Sequence, residues 1–442
     1  MKSAREKQTN MYTLTNARLF DGRQMLPGLR SVAIAGDRIV SIGDPSGAAP
    51  AAAQGERIDL GGMTLMPGLI TSHLHPDFYK FKLPEATSGV QLGKELPPGV
   101  LMAIGVRTCR VLIESGFTGY VGAGCAHDID PQLKMAIEMD IIPGPRILPC
   151  SHHLGTTADA NDARKWWQKF EQPGIDLFGD GPAELRKLVR RELSRGAKMM
   201  KVFASDGHLI PGDRGGRNMA TDELAAIVGA AHERGALVRA HVCHKDLILE
   251  CIRLGVDVID HGDEVDEECI EAMVKAGTFW VPSLTLTKCC IDLGFMDPVG
   301  EFAESYALMR RILPVAQKAG VKILIGDDYS GLLSDVCPDD PLDHQVGCYG
   351  RELAFYGEIE GLAPAEVLAW GTANAGELLS KGAPGKVGVI EPDALADLIV
   401  VDGDPLSDLT LLARPNDALK AVIRNGVMAI DRLPPEGLRR AA

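Results

Sequence analysis

The sequence predicts a (β/α)8 barrel, a TIM barrel, joined to a small composite β domain built from the N- and C-terminal segments. Three observations predict it. Both ends of the 442-residue chain have hairpin texture, the middle alternates short apolar runs with helix-length amphipathic stretches, and polar side chains recur where those runs stop.

The N-terminal segment, residues 1–65, strings short apolar runs between turn signals: "YTLTNARLF", "SVAIAGDRIVSIGD" and "ERIDLGGMTLMPG". The same texture returns over residues 381–442 in "GKVGVIEPDALADLIVVDGDPL" and "LKAVIRNGVMAI". The two-residue turns Gly36-Asp37 and Asn425-Gly426, set between β-branched residues, favour tight hairpins. The two segments are expected to pair into one domain.

Residues 66–380 carry the barrel. Its clearest unit is "ALVRAHVCHKDLILECIRLGVDVIDHG", Ala236–Gly262. Ala236–Val242 is nearly apolar, as a buried parallel strand should be. Leu247, Ile248, Cys251, Ile252 and Leu254 recur at helical spacing, Gly255 closes that helix, and Val256–Asp260 is the next strand. "GFTGYV", "PRILPC", "AKMMKVFAS", "GTFWVPSLTL" and "VKILIGDD" also read as short strands. With the opening strand Met66–Ser72 they make eight.

Bulk properties narrow the function classes. Hydrophobic residues make up 45% and charged residues 24%, enough for a sizeable core. The net charge of −14 argues against nucleic acid or an anionic membrane surface as a partner. No apolar run approaches the roughly 20 residues that span a bilayer. The opening "MKSAREKQTNMYTL" lacks a signal-peptide core, and ten cysteines without a CxxC read as reduced thiols, so a cytoplasmic location is expected.

In a parallel barrel the C-terminal strand ends form the active face. His73 and His75 end the first strand and, two residues apart, point to one side. Lys201 lies in the fourth strand, His241 and His261 end the fifth and sixth, and Asp327 and Asp328 end the eighth. A single histidine at a strand end is more often a structural hydrogen-bonding residue. Lysine in an apolar strand is costly without a partner, and the whole series at successive strand ends points to a metal centre.

"PGLITSHLH", "KVFASDG", "RAHVCHKD", "VIDHGDEVDEECIEAM" and "GVKILIGDD", taken in order, resemble the motif series of the amidohydrolase superfamily. The subgroup resembled is that of imidazolonepropionase and the Xaa-Pro dipeptidases, with the phenylurea and molinate hydrolases near it. The resemblance covers nearly the whole chain. It implies that His73 and His75 bind the more buried of two divalent ions, and that His241 and His261 hold the second. It further implies that Lys201 is carboxylated by CO2 and bridges both ions, and that Asp328 binds the first ion and handles protons. Zn²⁺ is the first choice, and Co²⁺ or Mn²⁺ also suit these ligands. The implied reaction is hydrolysis of an amide-type C–N bond in a small molecule by a metal-activated hydroxide. Such enzymes are often homo-oligomers.

The chain departs from the family pattern at Thr71, in "GFTGYVGAG", in "CSHHLGTTAD" and at Asp327, which alters the cavity wall while sparing every implied ligand. His152 and His153, just past the third strand, His244, three residues after His241, and Tyr329 are candidate substrate contacts. Arg239 and Arg351 are candidates for a substrate carboxylate, and the Cys289-Cys290 pair could meet a metal. The loop of residues 76–100, with Phe78, Tyr79 and Phe81, could wall an apolar substrate. Two substrate classes compete: ureas and carbamates, favoured by that loop and by the lack of an obvious carboxylate-binding arginine, and N-acyl amino acids or Xaa-Pro dipeptides. A mononuclear deaminase, against which Lys201 argues, and a non-catalytic barrel scaffold complete the alternatives.

Overall fold

The computed structural model describes residues 11–44, 55–79, 93–162, 167, 174–206, 216–294, 301–331 and 339–434. Five strands open the chain: β1 (Met11–Phe20), β2 (Met25–Ala35), β3 (Arg38–Gly43), β4 (Glu56–Asp59) and β5 (Thr64–Pro67). Three close it: β16 (Leu398–Val401), β17 (Leu419–Arg424) and β18 (Val427–Asp431). They form one eight-stranded sheet, ordered β18-β17-β16-β5-β1-β2-β3 with β4 on β1, so the two ends of the chain do pair. Asn425 and Gly426 both take positive φ between β17 and β18, as the hairpin turn requires.

The expected first strand, Met66–Ser72, divides in two. Thr64–Pro67 belongs to the end sheet, and the chain leaves it at Gly68 to enter the barrel as β6 (Leu69–Leu74). After helix α1 (Pro98–Glu114) comes β7 (Phe117–Gly122), then α2 (Ile129–Glu138), β8 (Arg146–Leu148), β9 (Cys150–Gly155), β10 (Asp176–Phe178) and α3 (Gly181–Ser194). The expected third strand thus runs on past Pro149, and His152 and His153 lie in it rather than beyond it. Four strands follow: β11 (Met199–Phe203), β12 (Leu237–Val242), β13 (Val258–His261) and β14 (Phe279–Val281). Helices α4 (Thr221–His232), α5 (Lys245–Leu254) and α6 (Glu267–Ala276) alternate with them. Gly255 takes a left-handed conformation and ends α5 as expected. The seventh strand stops at Val281. "LTL" of the predicted strand instead opens helix α7 (Leu284–Asp292), because Ser283 turns left-handed. Helix α8 (Glu301–Ala319) and β15 (Lys322–Ile323) complete the ring, and α9 (Cys348–Gly357), α10 (Pro364–Ala369) and α11 (Ala375–Ser380) follow.

The barrel strands form two parallel runs, β6-β7-β8 and β10-β9-β11-β12-β13-β14-β15. The chain itself joins β8 to β9. At the other seam the Ser72 amide donates to the Ile325 carbonyl at 2.8 Å, and Leu74 bridges Tyr329. Gly326 makes that seam possible, since a Cβ there would fall on the His73 backbone nitrogen. The lower half of the interior is apolar. Ile70, Val121, Leu148, Met199, Val258, Phe279 and Leu324 meet there, and Leu378 and Leu379 of α11 cap them from below. Among the described residues no cysteine forms a disulfide and no helix is long and apolar enough to cross a membrane.

Arg146 and Arg424 fasten the end sheet to the barrel floor through Asp397. Arg146 binds Asp397 through its Nε, and Arg424 Nη1 lies 3.4 Å from Asp397 Oδ1. Burial alone would raise the Asp397 pKa, but Arg424 and Arg146 more than offset it and hold the carboxyl below its ordinary range. The stabilisation is therefore complete above about pH 4 and is lost as pH falls through the native pKa. Asp397→Asn is expected to lower the unfolding free energy by about 3 kcal/mol at pH 7, because two partly buried guanidinium groups lose their counter-charge. Denaturant melts at pH 7 and pH 3.5 check this, and the gap between variant and parent should narrow at the lower pH.

Candidate metal centre

The site occupies the C-terminal half of the barrel interior. On β6, His73 and His75 face inward, as their spacing of two dictates, and both are buried. Their Nε2 atoms lie 3.3 and 3.0 Å from the same oxygen, Asp328 Oδ1, so three ligand atoms of three residues converge on one point. The His75 Nδ1 is 2.9 Å from the Gly124 carbonyl, which can only accept. The ring proton therefore sits on Nδ1, and Nε2 turns its lone pair to the centre. A lone pair and a carboxylate oxygen do not attract each other, so this arrangement fits a cation between them. Burial would push the Asp328 carboxyl up, yet its positive surroundings, Lys201 among them, overcome it and hold the group far below the carboxylate range.

The other implied ligands stand on the same rim. The His261 ring centroid is 5.4 Å from that of His73 and 4.4 Å from that of His241, while Phe203 stacks on the far side of His241 at 4.8 Å. His261 reaches the interior against the strand period. Its neighbour Asp260 already points inward, and alternation would send His261 out. A φ of 65° turns it back. Asp328 does the same after Asp327, with φ of 59°. The Trp280 indole N–H donates to the His261 carbonyl at 2.7 Å and pins that turn.

Lys201, 1% exposed, is buried below the histidines with its Nζ 2.7 Å from Asp260 Oδ2. Arg239 grips the same carboxylate through Nε at 3.0 Å and Nη2 at 2.5 Å, and donates from Nη1 to the Gly122 carbonyl at 2.7 Å. Burial lowers the Lys201 pKa and Asp260 opposes that, but the net direction is down, toward the neutral amine.

The remaining candidates divide. His152 and His153 are adjacent on β9, so only one can face inward. His153 does, with its ring 5.8 Å from that of His75, its Nδ1 3.2 Å from Asp176 Oδ1, and its buried Nε2 without a hydrogen-bond partner. Gly124 leaves room for that nitrogen, on which a Cβ would otherwise fall. His152 points to the helix layer and binds Glu192 Oε2 of α3 at 2.8 Å, so the expectation of a substrate contact is corrected for it. Asp128, His152 and Glu192 form a second group of three potential ligands, but Arg195 already neutralises Asp128 at 2.5 Å. His244 pairs with Glu264 at the rim, 3.1 Å away. Tyr329 is buried with its hydroxyl on Glu352 and on the Tyr349 carbonyl, so it packs rather than lines a cavity. Arg239 is spent on Asp260 and the Gly122 carbonyl, so the substrate contact expected of it is not met, while Arg351 donates from Nη1 to the Asp339 carbonyl and Cys289 and Cys290 lie in helix α7. Phe78 stacks on the His75 ring at 4.7 Å, and Arg107 lies over Tyr79. The rest of that loop, with Phe81, lies outside the described residues. Sequence reasoning missed Asp260 and Asp176 as neighbours of the centre, whereas Phe78 belongs to the loop expected to wall it. The spacing of Asp260 from Arg239 and Lys201 is legible only once the strand register is known.

A parallel barrel with five inward histidines, a buried lysine and an aspartate at its C-terminal rim defines a metal-dependent hydrolase. The sequence matches the amidohydrolase family over residues 64–429, and the chain belongs to that family, as a hydrolytic enzyme acting on C–N bonds of small molecules. Ochratoxinase of Aspergillus niger is 28% identical over 386 residues, 79% of this chain and 72% of that protein. Its crystal structure superposes with a TM-score of 0.81, 25% identity and 96% coverage of each chain. A prolidase crystallised with N-methylphosphonate-L-proline is 28% identical, with a TM-score of 0.79 over 95% of this chain and all of that one. Phenylurea hydrolase B, at 20% identity and a TM-score of 0.74 over 96% of this chain and 97% of that one, shares the fold.

The division between the adjacent histidines is testable. His152→Asn should cost about 1–3 kcal/mol of stability, because Glu192 loses a buried charge-assisted bond, and should leave kcat/KM within about threefold. Thermal melts and steady-state kinetics on the same preparation separate the two effects.

Proposed function

We propose that the chain hydrolyses the amide bond of an N-acylated amino acid at a two-metal centre. His73, His75 and Asp328 would hold one divalent ion, His241 and His261 the other, and a carboxylated Lys201 would stand between them, with Zn²⁺ the first choice and Co²⁺ or Mn²⁺ also suited. Convergence of His73, His75 and Asp328 on one point carries this reading. Bound there, the ions would supply Lewis acidity, making a water more acidic and the substrate carbonyl more electrophilic.

The chain's own residues do the rest. Asp328, a carboxylate at neutral pH, would accept the proton of the attacking water and return it to the leaving nitrogen. Asp176 holds the proton of His153 on Nδ1, so Nε2 is an acceptor that would take the substrate N–H and orient the amide. Phe78, flat against His75, would exclude water from one side. The acyl amino acid class is supported by the prolidase at 28% identity, which binds a phosphonyl-proline, a tetrahedral analogue of an acylated amino acid. An aryl urea or carbamate is the second reading, because Arg239, the arginine buried at the centre, is taken up by Asp260 and the Gly122 carbonyl.

Elemental analysis should return about two divalent ions per chain, and one would favour the deaminase reading. Asp328→Asn and Lys201→Ala should each lower kcat by about a thousandfold or more with the fold intact by circular dichroism. Turnover retained in either would overturn the mechanism. His153→Ala should lower kcat/KM by about tenfold or more. A panel of N-acyl amino acids, Xaa-Pro dipeptides, aryl ureas and carbamates, assayed with added Zn²⁺, Co²⁺ or Mn²⁺, decides between the substrate classes.

A further inference from the structure

Behind the centre lies a buried polar relay that the chemistry above does not use. Glu352 of α9 is 1% exposed. Its Oε1 accepts the Gly326 amide at 2.7 Å, and its Oε2 is 2.9 Å from Tyr329 Oη. The same phenol oxygen is 3.0 Å from the Tyr349 carbonyl. A phenol has one proton and a carbonyl can only accept. With Glu352 as a carboxylate, that single proton would face two acceptors. With the proton on Oε2, Glu352 donates to Tyr329, Tyr329 donates to Tyr349, and every contact is made. The surroundings agree: burial and the nearby Asp327 push the Glu352 carboxyl well above its usual range, and its contacts are a backbone amide and a phenol rather than a cation.

We propose that Glu352 is a neutral carboxylic acid and a positioning residue, which donates to Tyr329, accepts from Gly326 and so fixes the turn that presents Asp328. Gly326 and Tyr329 flank the pair Asp327-Asp328, so Glu352 holds the turn at both ends. The relay continues to the other half of the ligand set. Tyr349 Oη is 3.0 Å from His344 Nδ1, and His344 Nε2 is 3.0 Å from the His75 carbonyl. That carbonyl fixes the His344 proton on Nε2, so Nδ1 must accept from Tyr349. The His75 amide in turn donates to the Tyr329 carbonyl at 3.1 Å. One network, anchored on α9, thus sets the backbone of both strand ends that meet at Asp328 Oδ1. The inference rests on the proposed ligand role of His73, His75 and Asp328.

A neutral acid and a primary amide each offer one accepting oxygen and one donating group, so Glu352→Gln is the decisive variant. It should fold and keep Zn²⁺ affinity and kcat/KM within about threefold of the parent, whereas Glu352→Ala and Tyr329→Phe should weaken Zn²⁺ binding by about tenfold or more. Zn²⁺ is titrated into metal-stripped protein against a chelating indicator. The infrared difference spectrum of metal-stripped parent minus Glu352→Gln at pH 8 should show loss of a protonated carboxylic acid C=O stretch. Misfolding of Glu352→Gln, a tenfold loss of its Zn²⁺ affinity, or carboxylate bands in the difference spectrum would each overturn the proposal. Unchanged Zn²⁺ affinity in Tyr329→Phe would do so too, whether or not Glu352→Ala can be purified. Should the parent itself bind no Zn²⁺, the metal centre fails as a reading, while the infrared difference still decides the state of Glu352.

Discussion

The site depends on one buried carboxylate. Asp260, fully enclosed, is shared by Lys201 and Arg239, and those two cations are equally enclosed. None of the three could be buried alone, because stripping water from an isolated charge costs far more than a domain's whole stability margin. Together they form a polar floor across the barrel, between the apolar layer of Ile70, Val121, Met199 and Phe279 below and the histidines above. Packing in the lower half holds the barrel shut, and the upper half is thereby free to hold groups that only a ligand would satisfy. The same division explains why the His73 and His153 imidazoles, buried among cations, are kept neutral and available as bases.

Above that floor, geometry comes from broken strands rather than regular ones. His261, Ser283 and Asp328, at the ends of three successive barrel strands, all take left-handed conformations that cost a non-glycine residue about 1 kcal/mol or more each. Each break is secured by a side-chain hydrogen bond: Trp280 on the His261 carbonyl, Ser283's own Oγ donating to the Gly326 carbonyl at 2.7 Å, and Glu352 on the turn before Asp328. Regular strands would have aimed Asp260 and His261 in opposite directions.

That is also where the sequence stops being legible. Alternation and helical spacing located the barrel strands and the pairing of the two chain ends, because those signals are local and set by burial. The ring of His73, His75, Lys201, His241, His261 and Asp328 was legible as residues at strand ends. Three things were not. Pro149 marks the end of a strand by its own chemistry, yet the pairing of Met199 with Cys150 and of Lys201 with His153 carries the strand onward. That pairing decides which of His152 and His153 faces the centre. "SLTL" has strand-like composition, but Ser283 bends and helix α7 begins. Arg239 reads as a substrate-binding arginine until the register sets it beside Asp260. In each case the deciding contact is remote in sequence.

The charge balance of the floor bears on what the centre accepts. Lys201 and Arg239 cancel Asp260 and Asp328, so these four charges are balanced there. Two divalent ions would add four positive charges, and converting the Lys201 ammonium to a carbamate would remove two. On the proposed reading the loaded centre keeps a positive excess in a water-poor cavity, and Arg239 remains as the counter-ion of Asp260 once Lys201 has changed sign. Such a cavity favours states in which the substrate carbonyl oxygen gains negative charge, as it does when water adds to an amide. The buried arginine, first read as a contact for the substrate's carboxylate, would then act earlier and deeper, by keeping Asp260 paired while lysine becomes an anion.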